Sequence, residues 1–429
     1  MMAAVHSCWA LLLGIALMML GNGLQGSLLG IRASLEGFPT TATGILMSGY
    51  FAGFLGGSML APKLVARVGH VRVFAALASL ASSAILIHVV WIDPATWTLI
   101  RLVTGFCYAG LYVVVESWLN DQATNRTRGQ LLSIYMVVTL GGAAAGQGLL
   151  NLADPAGAKL FILVSVLISL SLIPMLLSTG RTPPFAAPRP VGIRELYRVS
   201  PTGVVGYFGA MLAAGAYFGM GAVYGREIGL SVRDISVFVS LILLGGMFLQ
   251  WPLGRLSDAW DRRQVLTAVT FLAALFALLA SMAAERSLLA LFALTALFGG
   301  TTLPMYSLCI AYINDYLERD QIVPASGTLV LIGGIGAVFG PISAAFAMQA
   351  FGAEGFFWSL ATIHAAIGAF ALYRMTRRPA LPRAEQGSYV AVAPRVTPVS
   401  SALYAEQASE AGAHDGSGQS ARPPPVAAS

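Results

Sequence analysis

Apolar residues run along the chain in twelve long blocks, each bounded by charge or proline: about 8–31, 41–62, 71–92, 96–118, 129–152 and 158–178, then 202–225, 234–254, 264–284, 287–313, 321–350 and 355–373. A helix needs about 20 apolar residues to cross the hydrocarbon core of a bilayer, so each block predicts a membrane-spanning helix. A polar stretch over 181–201 separates the sixth block from the seventh. It carries Pro183, Pro184, Pro188 and Pro190 with Arg181, Arg189, Arg194 and Arg198, which predicts a linker holding a short amphipathic piece near 193–199. From about Pro379 onward the chain is rich in Ala, Pro, Ser and Gly and has too few apolar side chains in periodic order to pack, which predicts a disordered tail. The expected organisation is therefore an all-α integral membrane protein: a six-helix bundle over 1–180, a linker over 181–201, a second six-helix bundle over 202–376 and a disordered tail over 377–429.

Composition strengthens this picture. Of 429 residues, 57% are apolar and 10% charged, a balance that excludes an ordinary soluble enzyme. The net charge of +6 would suggest nucleic acid in a soluble domain, but here the basic residues sit in short clusters between apolar runs, without the stripe and interleaved aromatics of a nucleic-acid binder. Counted over alternate loops, lysine and arginine divide seventeen to five. The richer side holds Lys63, Arg67, Arg72, Arg255, Arg262 and Arg263, among others, and the positive-inside rule makes it cytoplasmic, with both termini. A multi-pass membrane protein follows, expected as a monomer in the lipid bilayer. Cys8, Cys107 and Cys309 stand singly, with no C-x-x-C and no histidine at ligand spacing, so neither a disulfide framework nor a metal site is supported and no cofactor is expected. The run from Cys8 is too long for the core of a cleaved signal peptide and is expected to stay as the first span.

The two halves repeat. Tyr112, Asn120 and Asp121 at the end of span 4 match Tyr306, Asn314 and Asp315 at the end of span 10, and Gly142, Gly146 and Gln147 match Gly336, Gly340 and Pro341, each pair 194 residues apart. In the loops after spans 2 and 8, Pro62, Leu64, Ala66 and Gly69 match Gly254, Leu256, Asp258 and Asp261 at a separation of 192. Agreement across two helices and two loops implies duplication and a pseudo-twofold axis along the membrane normal.

The loop after span 8 reads PLGRLSDAWDRR. With the two-by-six layout it resembles the signature loop of the major facilitator superfamily, G-x-L-x-D-x-x-G-R-R: Gly254, Leu256, Asp258, Arg262 and Arg263 fit, and Asp261 replaces the second glycine. The counterpart after span 2, PKLVARVGHVR, departs further, with Pro62 and Ala66 where glycine and aspartate are expected. Arg101, Gly105 and Ala109 in span 4 resemble the family's R-x-x-x-G motif. The antiporter pattern G-x-x-x-G-P of span 5 is altered, because Gln147 replaces its proline, which argues against a drug/proton antiporter. The stretches 113–136 and 250–258 are similar to a bacterial YcaD-like subfamily, which implies a bacterial inner membrane. The resemblance covers about residues 8–376 and implies the major facilitator fold and transport of a small-molecule solute, with charge contacts at the signature loop that break as the halves rock.

Candidate residues follow from polarity inside apolar spans. Arg101 lies about 7–9 Å outside the midplane of span 4, where an intramembrane arginine either engages solute or is held by a structural partner. Asn22 and Gln25 share one face of span 1. With Tyr108, Tyr112, Gln147, Tyr217 and Tyr306, on helices that the resemblance turns toward the cavity, they are the expected cavity set. Gln250 needs a partner in lipid and is divided between packing and cavity. Glu116 is the carboxylate clearly within a span, near its cytoplasmic end. With the loop acid absent from the first half, its expected partners are Arg67 or Arg72, and it serves as a charge latch, a proton carrier or both. Asp258, Arg262 and Arg263 complete the gating set.

These residues suggest a secondary transporter working by alternating access, with protons as one candidate for coupling. No G-x-x-x-x-G-K-[ST] loop is present to take energy from ATP directly. An integral-membrane enzyme acting on lipid would want a His/Asp or Ser/His cluster at an interface, and the sequence offers none. A sensor or assembly partner that binds without transporting is the alternative.

Overall fold

The computed structural model describes residues 2–122, 127–177, 191–377, 379–382, 385–387, 389–392 and 397, with side chains from Cys8 onward except that of Arg319. Among the described residues there are thirteen α-helices and one 3₁₀ turn, and no strand: α1 (Met2–Leu35), α2 (Thr40–Val68), α3 (His70–Val90), α4 (Pro94–Gln122), α5 (Arg128–Gly148) running into a 3₁₀ turn (Leu149–Leu152), α6 (Lys159–Leu177), α7 (Ile193–Val199), α8 (Pro201–Glu227), α9 (Val232–Ala259), α10 (Arg262–Ala283), α11 (Leu288–Asn314), α12 (Arg319–Phe351) and α13 (Gly355–Met375). Twelve are long and apolar enough to span a bilayer; the short α7 lies between the sixth and seventh of these. Arg181, Arg189 and the four linker prolines lie outside the described residues, as do residues 398–429 of the tail.

Several helices outrun their apolar blocks, because caps and not hydropathy end a helix. α2 continues to Gly69, whose φ of 93° suits glycine and whose N–H returns to the Val65 carbonyl. Ser231, Asp261 and Ser287 start α9, α10 and α11 by accepting backbone N–H groups of Asp234, Arg263 and Ala290.

The repeat in the sequence reappears as repeated packing. A Cβ on Gly105 would stand 2.0 Å from the Tyr50 carbonyl oxygen where α4 crosses α2, and one on Gly299 would stand 2.4 Å from that of Ile242 where α11 crosses α9. Gly53 and Gly245 provide the other half of the same two crossings, against the carbonyls of Leu102 and Ala296. Gly146 sits against the Leu20 carbonyl and Gly340 against that of Leu212, so α5 packs on α1 as α12 packs on α8. Without a hydrophobic force between helices in lipid, such close backbone approach is the main source of cohesion.

An even number of crossings puts the ends of α1 and α13 on one face, the terminal face. The two bundles meet on the opposite side. Among the described residues, three hydrogen bonds join helices of different bundles: Thr40 Oγ1 to Glu227 Oε1 (2.9 Å), Asn151 Nδ2 to Ser236 Oγ (3.1 Å) and Ser240 Oγ to the Ala144 carbonyl (3.1 Å). All lie in the half away from the termini, where a Cβ on Gly44 would also come within 2.4 Å of that of Ala345.

The described tail is not free of structure, contrary to the expectation of disorder over 377–429. Val392 and Thr397 are buried, and Gly387, Tyr389 and Val392 hydrogen-bond to helices of the second bundle through main-chain groups. Main-chain bonding requires no hydrophobic periodicity, so composition did not reveal it.

Candidate functional site

Two cavities lie between the bundles, divided by Phe218 of α8, which lines both. The first is lined by Met19, Asn22, Gly23, Gly26 and Ser27 of α1, Tyr112 of α4, Thr139, Leu140, Ala143 and Gln147 of α5, and Val239 and Leu243 of α9. The second has an aromatic wall: Tyr50, Phe51 and Phe54 of α2 face Tyr207 and Phe218 of α8 and Tyr306 of α11. Glycines Gly333 and Gly334 of α12 complete it and keep that wall thin.

Of the expected cavity residues, Asn22, Tyr112 and Gln147 line the first cavity and Tyr306 the second. The Asn22 amide donates to the Tyr50 hydroxyl at 3.0 Å, linking the two walls. Gln147 Nε2 donates to the Gly23 carbonyl at 2.7 Å, which serves helix packing, while its buried Oε1 accepts from none of the described residues. Tyr306 lies against Tyr207, with ring centroids 5.3 Å apart.

Gln25, Arg101, Tyr108 and Tyr217 line neither of these cavities. Gln25 is buried in α1 and its Nε2 has no hydrogen-bond partner among the described residues. Tyr217 belongs to an aromatic cluster with Phe238, Phe298 and Phe356 and donates to the Phe238 carbonyl at 3.3 Å. Arg101 is buried with its guanidinium 4.5 Å from the centre of the Tyr50 ring. Tyr108 packs against the same ring. Both therefore stand one layer behind the aromatic wall, where a cation over the π-face is attracted by the ring quadrupole.

At the terminal face a charge cluster joins α9, α10 and α11. Arg262 donates to both oxygens of Asp315 at 2.7 Å, to Asp258 at 3.0 Å and to Ser257 at 2.9 Å. Arg262 and Asp315 are nearly inaccessible, at 2% and 3% of side-chain area, whereas Asp258 keeps 43%. Burial raises the Asp315 carboxyl above the usual range, and Arg262 and the Gly387 N–H oppose that without cancelling it. Arg263 turns instead to Asp261 at 3.0 Å; burial acts to raise Asp261, yet the hydrogen bonds from Arg263 hold its carboxyl below the usual range. Asp315 was absent from the expected site, although its match with Asp121 in the repeat marked the position.

Glu116 is 1% exposed and accepts the Tyr135 hydroxyl at 2.7 Å and the Thr397 hydroxyl of the tail. The expected pairing with Arg67 or Arg72 is not formed: both arginines are exposed, and no ion pair or hydrogen bond joins either to Glu116. Position along a helix gave the depth of Glu116 but not its direction, and its side chain turns inward to α5.

The Major Facilitator Superfamily profile matches residues 11–202 and 203–407. The chain is 28% identical over 358 residues to the uncharacterized MFS-type transporter YcaD of Escherichia fergusonii, covering 82% of this chain and 92% of the relative, and 27% identical over 358 residues to the uncharacterized MFS-type transporter Ent638_1421 of an Enterobacter species, with the same coverage. The fold is similar to the crystal structure of the nucleoside transporter NupG, with a TM-score of 0.70 at 11% identity over 88% of this chain and 100% of that one. It is also similar to a bacterial homolog of the human lysosomal transporter Spinster, solved inward-facing and unoccupied, with a TM-score of 0.64 at 14% identity over 95% and 98%. Twelve spans and bacterial relatives of this kind describe a multi-pass bacterial membrane protein and a transporter, not an enzyme. The chain belongs to the major facilitator superfamily.

Proposed function

We propose that this chain is a secondary transporter that carries a small organic solute by rocking its two bundles about the cavities between them. The observation that carries the reading is the asymmetry of contact: the bundles bond to one another directly on the side away from the termini, and the cavities lie between them. With the basic loops on the cytoplasmic side, this conformation is inward-facing. The solute fits a wall of tyrosine and phenylalanine with a few amide and hydroxyl groups, which favours a compact molecule with an apolar or aromatic body and polar handles. Arg101 acts through Tyr50: its charge behind the ring makes the hydroxyl, which accepts from Asn22, a stronger donor toward the cavity.

Counterflow of labelled candidate solutes in proteoliposomes tests the reading, after a thermal-shift screen of a metabolite and drug library has selected ligands that bind the folded protein. Exchange across the bilayer supports transport; binding without exchange makes the chain a sensor. Proton coupling, if present, falls to Glu116, which is buried and held by two hydroxyls. Glu116→Gln is expected to abolish pH-driven uphill accumulation while leaving downhill exchange measurable. Uphill accumulation at the full rate in that variant removes Glu116 as carrier.

A further inference from the structure

The mouth of the inter-bundle space at the terminal face carries three acids, Asp258, Asp315 and Glu116, and each receives a hydrogen bond from the tail. The Tyr389 N–H donates to Asp258 at 2.8 Å, the Gly387 N–H to Asp315 at 3.0 Å, and the Thr397 hydroxyl to Glu116. Arg262, already bound to Asp315 and Asp258, also donates to the Gly387 carbonyl at 2.7 Å. Further along, the Val392 N–H donates to Ser307 Oγ at 3.0 Å, and its carbonyl accepts from Gln250 and Ser307 at 3.3 Å each. Side-chain shape adds to this main-chain pairing. The Tyr389 ring lies directly over Gly254, where a Cβ would come within 2.4 Å of it, so the glycine of the signature loop leaves the space that the ring fills.

These contacts belong to both halves. Asp258, Arg262, Asp315, Gln250 and Ser307 are on α9, α10 and the end of α11, whereas Glu116 is on α4 of the first bundle. The tail therefore ties the bundles together on the side where, among the described residues, no helix-to-helix hydrogen bond does so. We propose that Gly387, Tyr389, Val392 and Thr397 form a self-docking strap that closes the terminal-face mouth and must leave before the cavities exchange with that side. Being tethered to α13, the segment faces a binding surface at high effective concentration, so modest contacts suffice to keep it docked. The strap adds a hydrogen bond to each of three acids that also bond to Arg262 or Tyr135, which links the gating charges to tail occupancy.

The inference concerns access, and its test requires no solute, so it fails or stands apart from the transport reading. In the full chain with Cys8→Ser, Cys107→Ala and Cys309→Ala, Ser58→Cys puts a thiol on the wall of the aromatic cavity, at a buried hydroxyl with no hydrogen-bond partner among the described residues. Its rate of reaction with N-ethylmaleimide in nanodiscs reports opening. The release variant Tyr389→Ala with Val392→Asp should react faster by on the order of tenfold or more, as expected when a minor open population becomes the main one. In a second variant without the reporter, Ser307→Cys with Val392→Cys should form a disulfide under mild oxidation, since the Val392 main chain lies 3.0–3.3 Å from Ser307 Oγ. Equal labelling rates with and without the release substitutions would overturn the proposal, as would failure of the cysteine pair to join.

Discussion

Arg262 holds two carboxylates that differ in accessibility, and the difference sets what each is worth. Asp315 accepts two short bonds at a site closed to solvent, so removing it leaves a buried guanidinium short of its main partner. Breaking such a pair costs about 3–5 kcal/mol, whereas a pair with a half-exposed acid contributes about 0–1 kcal/mol. Asp315→Asn should accordingly lower the unfolding temperature in detergent well beyond Asp258→Asn, although Asp258 is the acid that the signature loop resembles most openly. Equal losses for the two variants would place the weight on the tail contacts that both acids share and not on Arg262. The same logic explains the isolation of Arg67 and Arg72: exposed at the surface, they gain little from reaching a carboxylate that Tyr135 already satisfies.

At the level of helices, cohesion comes from glycines at four backbone crossings, and the repeat makes the two halves each other's control. Gly105→Ala and Gly299→Ala put a methyl group on a carbonyl oxygen that cannot move away without shifting a helix. Overpacking of this kind costs typically about 1–3 kcal/mol, and the two variants should lose thermal stability to a similar extent. Gly56→Ala has nothing within 4 Å and should instead stabilise by a few tenths to about 1 kcal/mol through the chain's lost freedom. A Gly105→Ala protein as stable as Gly56→Ala would refute the crossing as a source of cohesion. Spans and repeat were legible in the sequence because block length and small-residue spacing record them directly. The cavity was half legible: Asn22, Tyr112, Gln147 and Tyr306 were named, but Tyr50, Phe54 and Phe218 were not. An aromatic residue in a span is equally at home against lipid, a neighbour or a cavity, and its direction is fixed only by which helices flank it. The docking of the tail left no periodic signal in the sequence, because main-chain N–H and C=O groups make most of its hydrogen bonds and only the Thr397 hydroxyl and the Tyr389 ring add side-chain contacts.

For the whole molecule, the distribution of basic loops and the closure of the bundles make one joint statement about orientation. The face away from the termini carries few basic residues and is where Thr40 meets Glu227 and Asn151 meets Ser236. If the positive-inside rule holds, that closed face is external and the strapped mouth is cytoplasmic. Two single cysteines on the cysteine-free background separate the possibilities. Arg233→Cys is exposed at the start of α9 and should react with an impermeant maleimide on intact cells. Arg194→Cys, exposed on α7 of the linker, should react only after the cells are opened. The reverse pattern would invert the orientation and, with it, the direction in which this conformation faces. The closed face also has to open if the halves rock, which requires Thr40 and Glu227 to part. Thr40→Cys with Glu227→Cys joined by a disulfide should therefore stop counterflow, and reduction should restore it. Counterflow at the full rate while the pair stays cross-linked would rule out the rocking of these two bundles as the transport step.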